Sequence, residues 1–228
     1  PSYDLDFEWN RYNESQVIIT KFAEDWSFQV YLLDFTNAST TELNLPQPFM
    51  KWIEKDEVAY LDWDKTSPSL VAPLIMKKLG SDVNKTVFSK IIQFDAYREM
   101  LMTVAVKEGE PSMANYSFFN KEQKKLLSFS VPQLSKFSDW LVPFYDYSEH
   151  KKQFITLIPL TSGEEDTYTE GFQLIRYDLK KGSSELILGG MDNVPISISP
   201  SGDTALLGNS YEKLVDLNKK KSFDLIKE

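Results

Sequence analysis

The stretch "RYDLKKGSSELILGGMDNVPISISPSGDTALLGNS" (176–210) alternates short apolar runs with three polar interruptions: Lys-Lys-Gly, Gly-Gly-Met-Asp-Asn and Ser-Pro-Ser-Gly-Asp. Gly, Pro, Asn, Asp and Ser are the residues that turn a chain, and apolar runs of about four to eight residues between them read as strands. Strands of one length, cut by turns, predict antiparallel sheet.

The same grammar extends outward along the chain. "VIIT" (17–20), "QVYLLDF" (29–35), "EVAYLDW" (57–63), "MLMTVAV" (100–106), "QFITLIPL" (153–160) and "FQLIRYDL" (172–179) are rich in β-branched and aromatic residues, several of them with period-two alternation. One stretch, "SPSLVAPLIMKKLG" (67–80), has spacing that suits a short helix, although Pro73 opposes it.

An internal repeat organises these strands. "LLDFTNASTTELNL" (32–45), "RYDLKKGSSELIL" (176–188) and "LVDLNKKKSFDLI" (214–226) share a mostly apolar pair, an Asp, an apolar residue, a polar turn and a leucine. "YSFFNKEQKKLLSF" (116–129) has the same shape with Phe118 in place of the Asp, and Asp34 and Phe118 stand 84 residues apart, twice 42. A second pattern precedes each member: "FEWNRYNESQVII" (7–19), "MKWIEKDEVAYL" (50–61), "IIQFDAYREMLMTV" (91–104), "LVPFYDYSEHKKQFITLI" (141–158) and "ISISPSGDTALLG" (196–208). Four strands per unit at a period near 42 is what a propeller blade needs. The predicted fold is an all-β propeller of about five four-stranded antiparallel blades, at 7–46, 49–88, 91–131, 140–190 and 194–226, within a single domain. A β-sandwich is the alternative.

"ISISPSGDTALL" (196–207) resembles the Ser-Pro-Asp-Gly repeat of TolB-like propellers, relatives of WD-repeat proteins, with Ser201 where that family has Asp. The resemblance implies the same fold and, because such propellers work in the periplasm, an exported or membrane-tethered bacterial protein.

Composition narrows the function. With 34 acidic and 25 basic residues the net charge is −9, which opposes binding to nucleic acid and anionic lipid and favours a cationic or neutral partner. There is no cysteine, hence no disulfide, thiolate nucleophile or thiolate metal site. The chain starts at Pro1, as a processed fragment does, and no apolar run reaches the roughly 18 to 20 residues of a transmembrane helix. No hydrolase elbow, zinc-protease helix, phosphate loop or glycine fingerprint is present. His150, the one histidine, lies in a polar turn unsuited to a triad.

Loops between second and third strands hold acidic and aromatic residues: Trp26; Asp62, Trp63 and Asp64; Glu108; and Glu164, Glu165, Asp166 and Tyr168. Turns between third and fourth strands hold lysines instead: Lys77 and Lys78, Lys124 and Lys125, Lys180 and Lys181, and Lys219 to Lys221. The acidic, aromatic side is therefore the expected docking face for a protein or glycan, with aromatic faces and carboxylates to meet a cation, an amine or a sugar. No cofactor is required, although the carboxylates of "SGEEDTYTEG" (162–171) are of the type that takes calcium. The overall expectation is a non-enzymatic extracytoplasmic platform. The alternative is a carboxylate-dependent hydrolase, with or without calcium, acting on a glycan or lactone at the propeller centre.

Overall fold

The computed structural model describes residues 2–64, 66–67, 69–136 and 139–226. Pro1, with the expectation drawn from it, and Pro68 of the possible helix lie outside the described residues. Secondary structure is almost wholly extended, with one 3-10 turn, and no α-helix occurs among the described residues.

The strands come in meanders. β1 (Asp4–Trp9), β2 (Gln16–Phe22), β3 (Phe28–Asp34) and β4 (Ser39–Leu43) pair in chain order, as do β5 (Lys51–Glu54), β6 (Glu57–Leu61), β7 (Ala72–Lys78) and β8 (Asn84–Ile91). β7 occupies the stretch whose spacing suited a helix, and Pro73 lies within it as a strand residue. β9 (Gln93–Tyr97), β10 (Met100–Lys107), β11 (Glu110–Asn120) and β12 (Lys125–Pro132) follow in the same order. Next come β13 (Leu134–Lys136), β14 (Asp139–Leu141), β15 (Tyr145–Ser148), β16 (Gln153–Pro159), β17 (Gly163–Glu164), β18 (Phe172–Asp178) and β19 (Ser183–Met191). β15, β16, β18 and β19 form a fourth four-stranded sheet. β14, β13 and β17 form a small extra sheet, in which β13 and β17 run parallel. Nothing in the repeat pointed to it, because two-residue pairings carry no hydrophobic period. β20 (Ile196–Ile198), β21 (Thr204–Leu207), β22 (Lys213–Asp216) and β23 (Lys221–Asp224) make the last four-stranded sheet.

The chain divides into two compact units: residues 1–105 with 118–124, and residues 106–117 with 125–228. In the first, Ile18, Val30, Trp52, Val58, Tyr60 and Ile75 are buried together, and a second cluster joins Ala59, Leu74, Ile91, Ala96 and Leu101. In the second, Ile155, Leu157, Leu174, Leu207 and Val215 form the heart of one core. β16 is buried on both faces from Phe154 to Pro159, which is why "FITLIP" reads as a continuous apolar run rather than an alternation.

The repeat's Asp has a structural explanation. Asp178 Oδ1 accepts from the backbone N–H groups of Lys180 and Lys181, both at 3.0 Å, and Asp216 Oδ1 accepts from those of Asn218 (3.1 Å) and Lys219 (2.8 Å). Asp34 does the same for Thr36 and Asn37. Each is an Asx turn that starts the hairpin between third and fourth strands. Where the third unit has Phe118, Asn120 does this work two residues later, accepting from Lys124 N–H at 2.8 Å.

These bonds favour the ionised carboxyl. Lys219 N–H holds Asp216 below the usual carboxylate range, Lys181 N–H does so for Asp178, and the Gln16 amide does so for Asp34. Bonds from Lys220 and Arg176 take Glu185 down to about 2, and bonds from Lys151 and Asn218 take Asp203 down to about 2. A folded-state value below the unfolded one adds stability above the unfolded value and withdraws it as pH falls. The urea midpoint is therefore expected to fall steadily on acidification from the ordinary carboxylate value of 4.5 towards about 2, and a midpoint flat across that window would contradict the assignment.

The Ser-Pro-Ser-Gly-Asp turn joins β20 to β21 through Ser199, whose N–H donates to the Thr204 carbonyl at 2.9 Å and whose carbonyl accepts from Gly202 N–H at 2.8 Å. Gly202 has φ +72°, and a Cβ there would stand 2.6 Å from Ser148 Oγ and 3.0 Å from the Lys151 stem. Lys151 and Asp203 are ion-paired beside it. Gly202→Ala meets both a left-handed backbone and a steric clash, so it should cost about 1 to 3 kcal/mol, read as a lowered thermal midpoint.

Candidate functional site: an aromatic cleft in the first unit

The predicted docking residues distribute over both units. In the second, Tyr168 is turned inward: its hydroxyl donates to the Gly171 carbonyl (2.8 Å), accepts from Leu160 N–H (2.7 Å), and its ring meets Phe172 edge-on at 5.5 Å. Glu164 pairs in β17, while Glu165 and Asp166 open the 3-10 turn Glu165–Thr167. Glu108 lies in the β10–β11 turn beside the Lys107–Glu110 ion pair (2.6 Å). Among the described residues, no group of three or more His, Cys, Asp or Glu side chains is placed to hold a metal ion.

In the first unit Trp63 lines a cleft and Asp62 is tied to its wall through Gln47, while Trp26 and Asp64 are not among its lining residues. Trp26 heads the β2–β3 loop with φ 62° and its side chain 61% exposed. A left-handed tryptophan is strained by roughly 1 kcal/mol or more, a cost that recurs at functional positions. Its ring packs edge-on against Tyr3 (5.5 Å) and Phe22 (5.9 Å), and Phe22 in turn meets Phe49 at 5.6 Å. Asp25 and Asp64 each cap their own loop by accepting from Ser27 and Thr66.

Phe49 leads from this ridge into a cleft of about 320 Å³, lined also by Phe7 of β1, Trp63 of the β6–β7 loop and Phe94 of β9. The connection that carries Phe49 is fastened at the two residues just before it. Thr20 Oγ1 donates to the Pro48 carbonyl (2.7 Å), and the Gln47 amide donates to Asp62 Oδ1 (3.2 Å) and to the Trp63 carbonyl (2.9 Å). Asp62 thus positions the wall through Gln47, while Trp63 forms part of it.

Charge in the cleft is nearly balanced. Asp6, Glu8 and Lys51 line it, and the Lys51 ammonium lies 3.1 Å from Glu8 Oε2. Glu8 is more enclosed than Lys51, its side chain 12% exposed, and burial raises its carboxyl above the ordinary value of 4.5 although Lys51 pulls the other way. Its backbone carbonyl accepts from the buried Trp52 indole at 3.1 Å. The sign is opposite to that of the turn carboxylates: what Glu8 adds to stability is present at low pH and fades as pH rises.

A family model of the YqgU-like six-bladed β-propeller domain matches residues 1–208. This chain belongs to that family. Its five four-stranded sheets agree with the predicted architecture, and the family form has six blades. An uncharacterized lipoprotein, YqgU of Bacillus subtilis strain 168, is 24% identical over 99% of the chain, which spans 60% of that relative's length. The crystal structure of an uncharacterized Listeria monocytogenes EGD-e protein, lmo1340, aligns with a TM-score of 0.88 at 22% identity, covering 98% of this chain and 67% of that one. TolB from Acinetobacter baumannii aligns at 0.55 with 10% identity, over 96% of this chain and 53% of its own. The TolB-like resemblance of the Ser-Pro-Ser-Gly turn therefore points to a neighbouring propeller fold, while the family is the YqgU-like one. Among the described residues no helix is long and apolar enough to cross a membrane.

Of the lining residues only Trp63 stands out in the sequence; Phe7, Glu8, Phe49 and Phe94 are among those that do not. Phe7, Glu8 and Phe94 stand in the pattern that opens the first and third units. The signal was present, but an aromatic on a first strand reads equally well as core.

Proposed function

We propose that this YqgU-like domain is a non-enzymatic, extracytoplasmic recognition platform that binds a neutral glycan in the aromatic cleft. One observation carries the reading: four aromatic side chains from four separate segments converge on a cleft whose carboxylates and lysine nearly cancel. Aromatic faces cover the apolar face of a sugar ring, and partly enclosed carboxyl and amide groups orient its hydroxyls. Near-neutral charge favours an uncharged partner over a cationic peptide. The lipoprotein relative supports an extracytoplasmic, tethered setting.

Titration calorimetry with a panel of neutral oligosaccharides tests this. A member of the panel is expected to bind, and Trp63→Ala or Phe49→Ala should each weaken it about tenfold. Trp26→Asn, which suits the left-handed backbone, should leave the thermal midpoint nearly unchanged. A panel without a binder, or binding indifferent to both alanine variants, would reject the glycan site.

A hydrolase reading draws on Glu8 alone. A half-buried carboxyl with a raised value is a general-acid type, and Asp6, two residues along the strand, is about 7 Å away by strand geometry. Glu8→Gln separates the two: a platform keeps its ligand and shows no turnover in either form, whereas a hydrolase loses turnover.

A further inference from the structure

The larger cavity of the first unit lies elsewhere, among hairpin ends that carry none of the predicted docking residues. It holds about 410 Å³, and every lining residue belongs to residues 1–105 or 118–124. Its apolar lining includes Met76 of β7, Ala96 of β9, and Met100 and Leu101 of β10, the last three nearly buried. Methionine adapts to irregular ligands, and a cavity of this size with an apolar floor and a polar, charged mouth suits an amphipathic small molecule.

Two tyrosines form preorganised walls. The Tyr12 hydroxyl donates to the Arg98 carbonyl at 3.1 Å, and Lys121 lies 4.7 Å above its ring while bonding Glu54 Oε1 at 2.6 Å. Tyr97 is covered by the Arg11 guanidinium at 5.5 Å. These contacts hold both rings in place before any ligand enters.

The charge at the mouth departs from that of the whole chain. Lys78, Lys85 and Lys121 stand with Glu54, Glu57 and Asp56, so the mouth is balanced in a protein of net −9. Lys121 pairs with Glu54 and Lys78 with Asp56 (2.9 Å). Lys85 has no ion pair among the described residues and is exposed beside the cavity. An ammonium offers three donors, so Lys78 also retains capacity beyond Asp56.

We infer that this cavity is a second ligand site, for a small amphipathic carboxylic acid whose apolar body lies on Met76, Met100 and Leu101 between the tyrosines and whose carboxylate is met by Lys85. Apolar surface on the cavity floor supplies the affinity and the unpaired lysine selects the head group. The site is independent of the glycan reading, because it shares no lining residue with the aromatic cleft.

Decanoate, decanol and decyltrimethylammonium share one chain and differ in head group, so they serve as probes. With methyl-labelled methionine, decanoate is expected to move the Met76 and Met100 signals in a saturable way and leave Met113 and Met191 in place. Affinity should fall from decanoate to decanol, with the cation weakest. Lys85→Glu alters an exposed side chain and so leaves the thermal midpoint intact. It should weaken decanoate about tenfold and leave decanol unchanged. Shifts spread evenly over all methionines, a cation that binds as well as the acid, or a Lys85→Glu chain that binds decanoate normally would each overturn the inference.

Discussion

Trp52→Ala should lower the stability of this chain by about 3 to 5 kcal/mol, a fall in thermal midpoint of roughly 10 °C or more. Trp52 is 1% exposed and packs in the cluster that joins the first two sheets. Its truncation leaves a large void and also removes the indole N–H that donates to the Glu8 carbonyl. Glu8 and its partner Lys51 line the aromatic cleft, so the same change should weaken oligosaccharide binding even at temperatures where the chain stays folded. Trp52→Phe separates the two contributions: it restores most of the apolar burial but not the hydrogen bond. Its stability should lie between the other two, with the cleft still impaired. A Trp52→Ala chain that melts within a degree or two of the parent would mean that the first two sheets are not held together as described.

Phe154→Ala should cost about as much, roughly 3 to 5 kcal/mol, through the second unit. Its side chain is fully buried, with ring centroids 5.4 Å from Tyr145, 6.0 Å from Tyr116 and 6.4 Å from Phe129. Those neighbours are rigid rings in a two-sided strand environment and cannot collapse into the space. Phe154→Leu keeps more of the volume and should lose less than half as much. Denaturant titration at the first-unit tryptophans and at second-unit tyrosines would show whether the two substitutions are felt locally or by the whole chain. An unchanged midpoint in Phe154→Ala would contradict the burial assigned to β16.

The repeat unit, its four-strand content and the antiparallel turns were written in local sequence, because strand alternation and Asx-turn chemistry act over a few residues. Asp34, Asp178 and Asp216 were visible as a repeated letter, and the structure gives the cause: each carboxylate accepts the backbone N–H groups of its own turn. The lysines of those turns have a local role as well, since Lys181 and Lys219 pair with the same aspartates at 3.6 and 3.1 Å. At 67–80 helical spacing and Pro73 pull opposite ways, and residues 72–78 are strand β7, where cross-strand partners on both sides outweigh a weak propensity.

The candidate site was legible only in part. Trp26 and Trp63 stood out as aromatics in acidic loops, and Asp62 as their neighbour. That Phe22 and Phe49 would bridge them, that Gln47 would tie Asp62 to the wall, and that Tyr168 would spend its hydroxyl inside its own loop depended on tertiary placement. A sequence states residue type and spacing, which fix strand length, turn chemistry and net charge. Only the folded chain decides which rings from distant strands share a cleft, which lysine is left without a carboxylate, and which carboxyl is taken out of water, because burial and pairing are set by neighbours far apart in sequence.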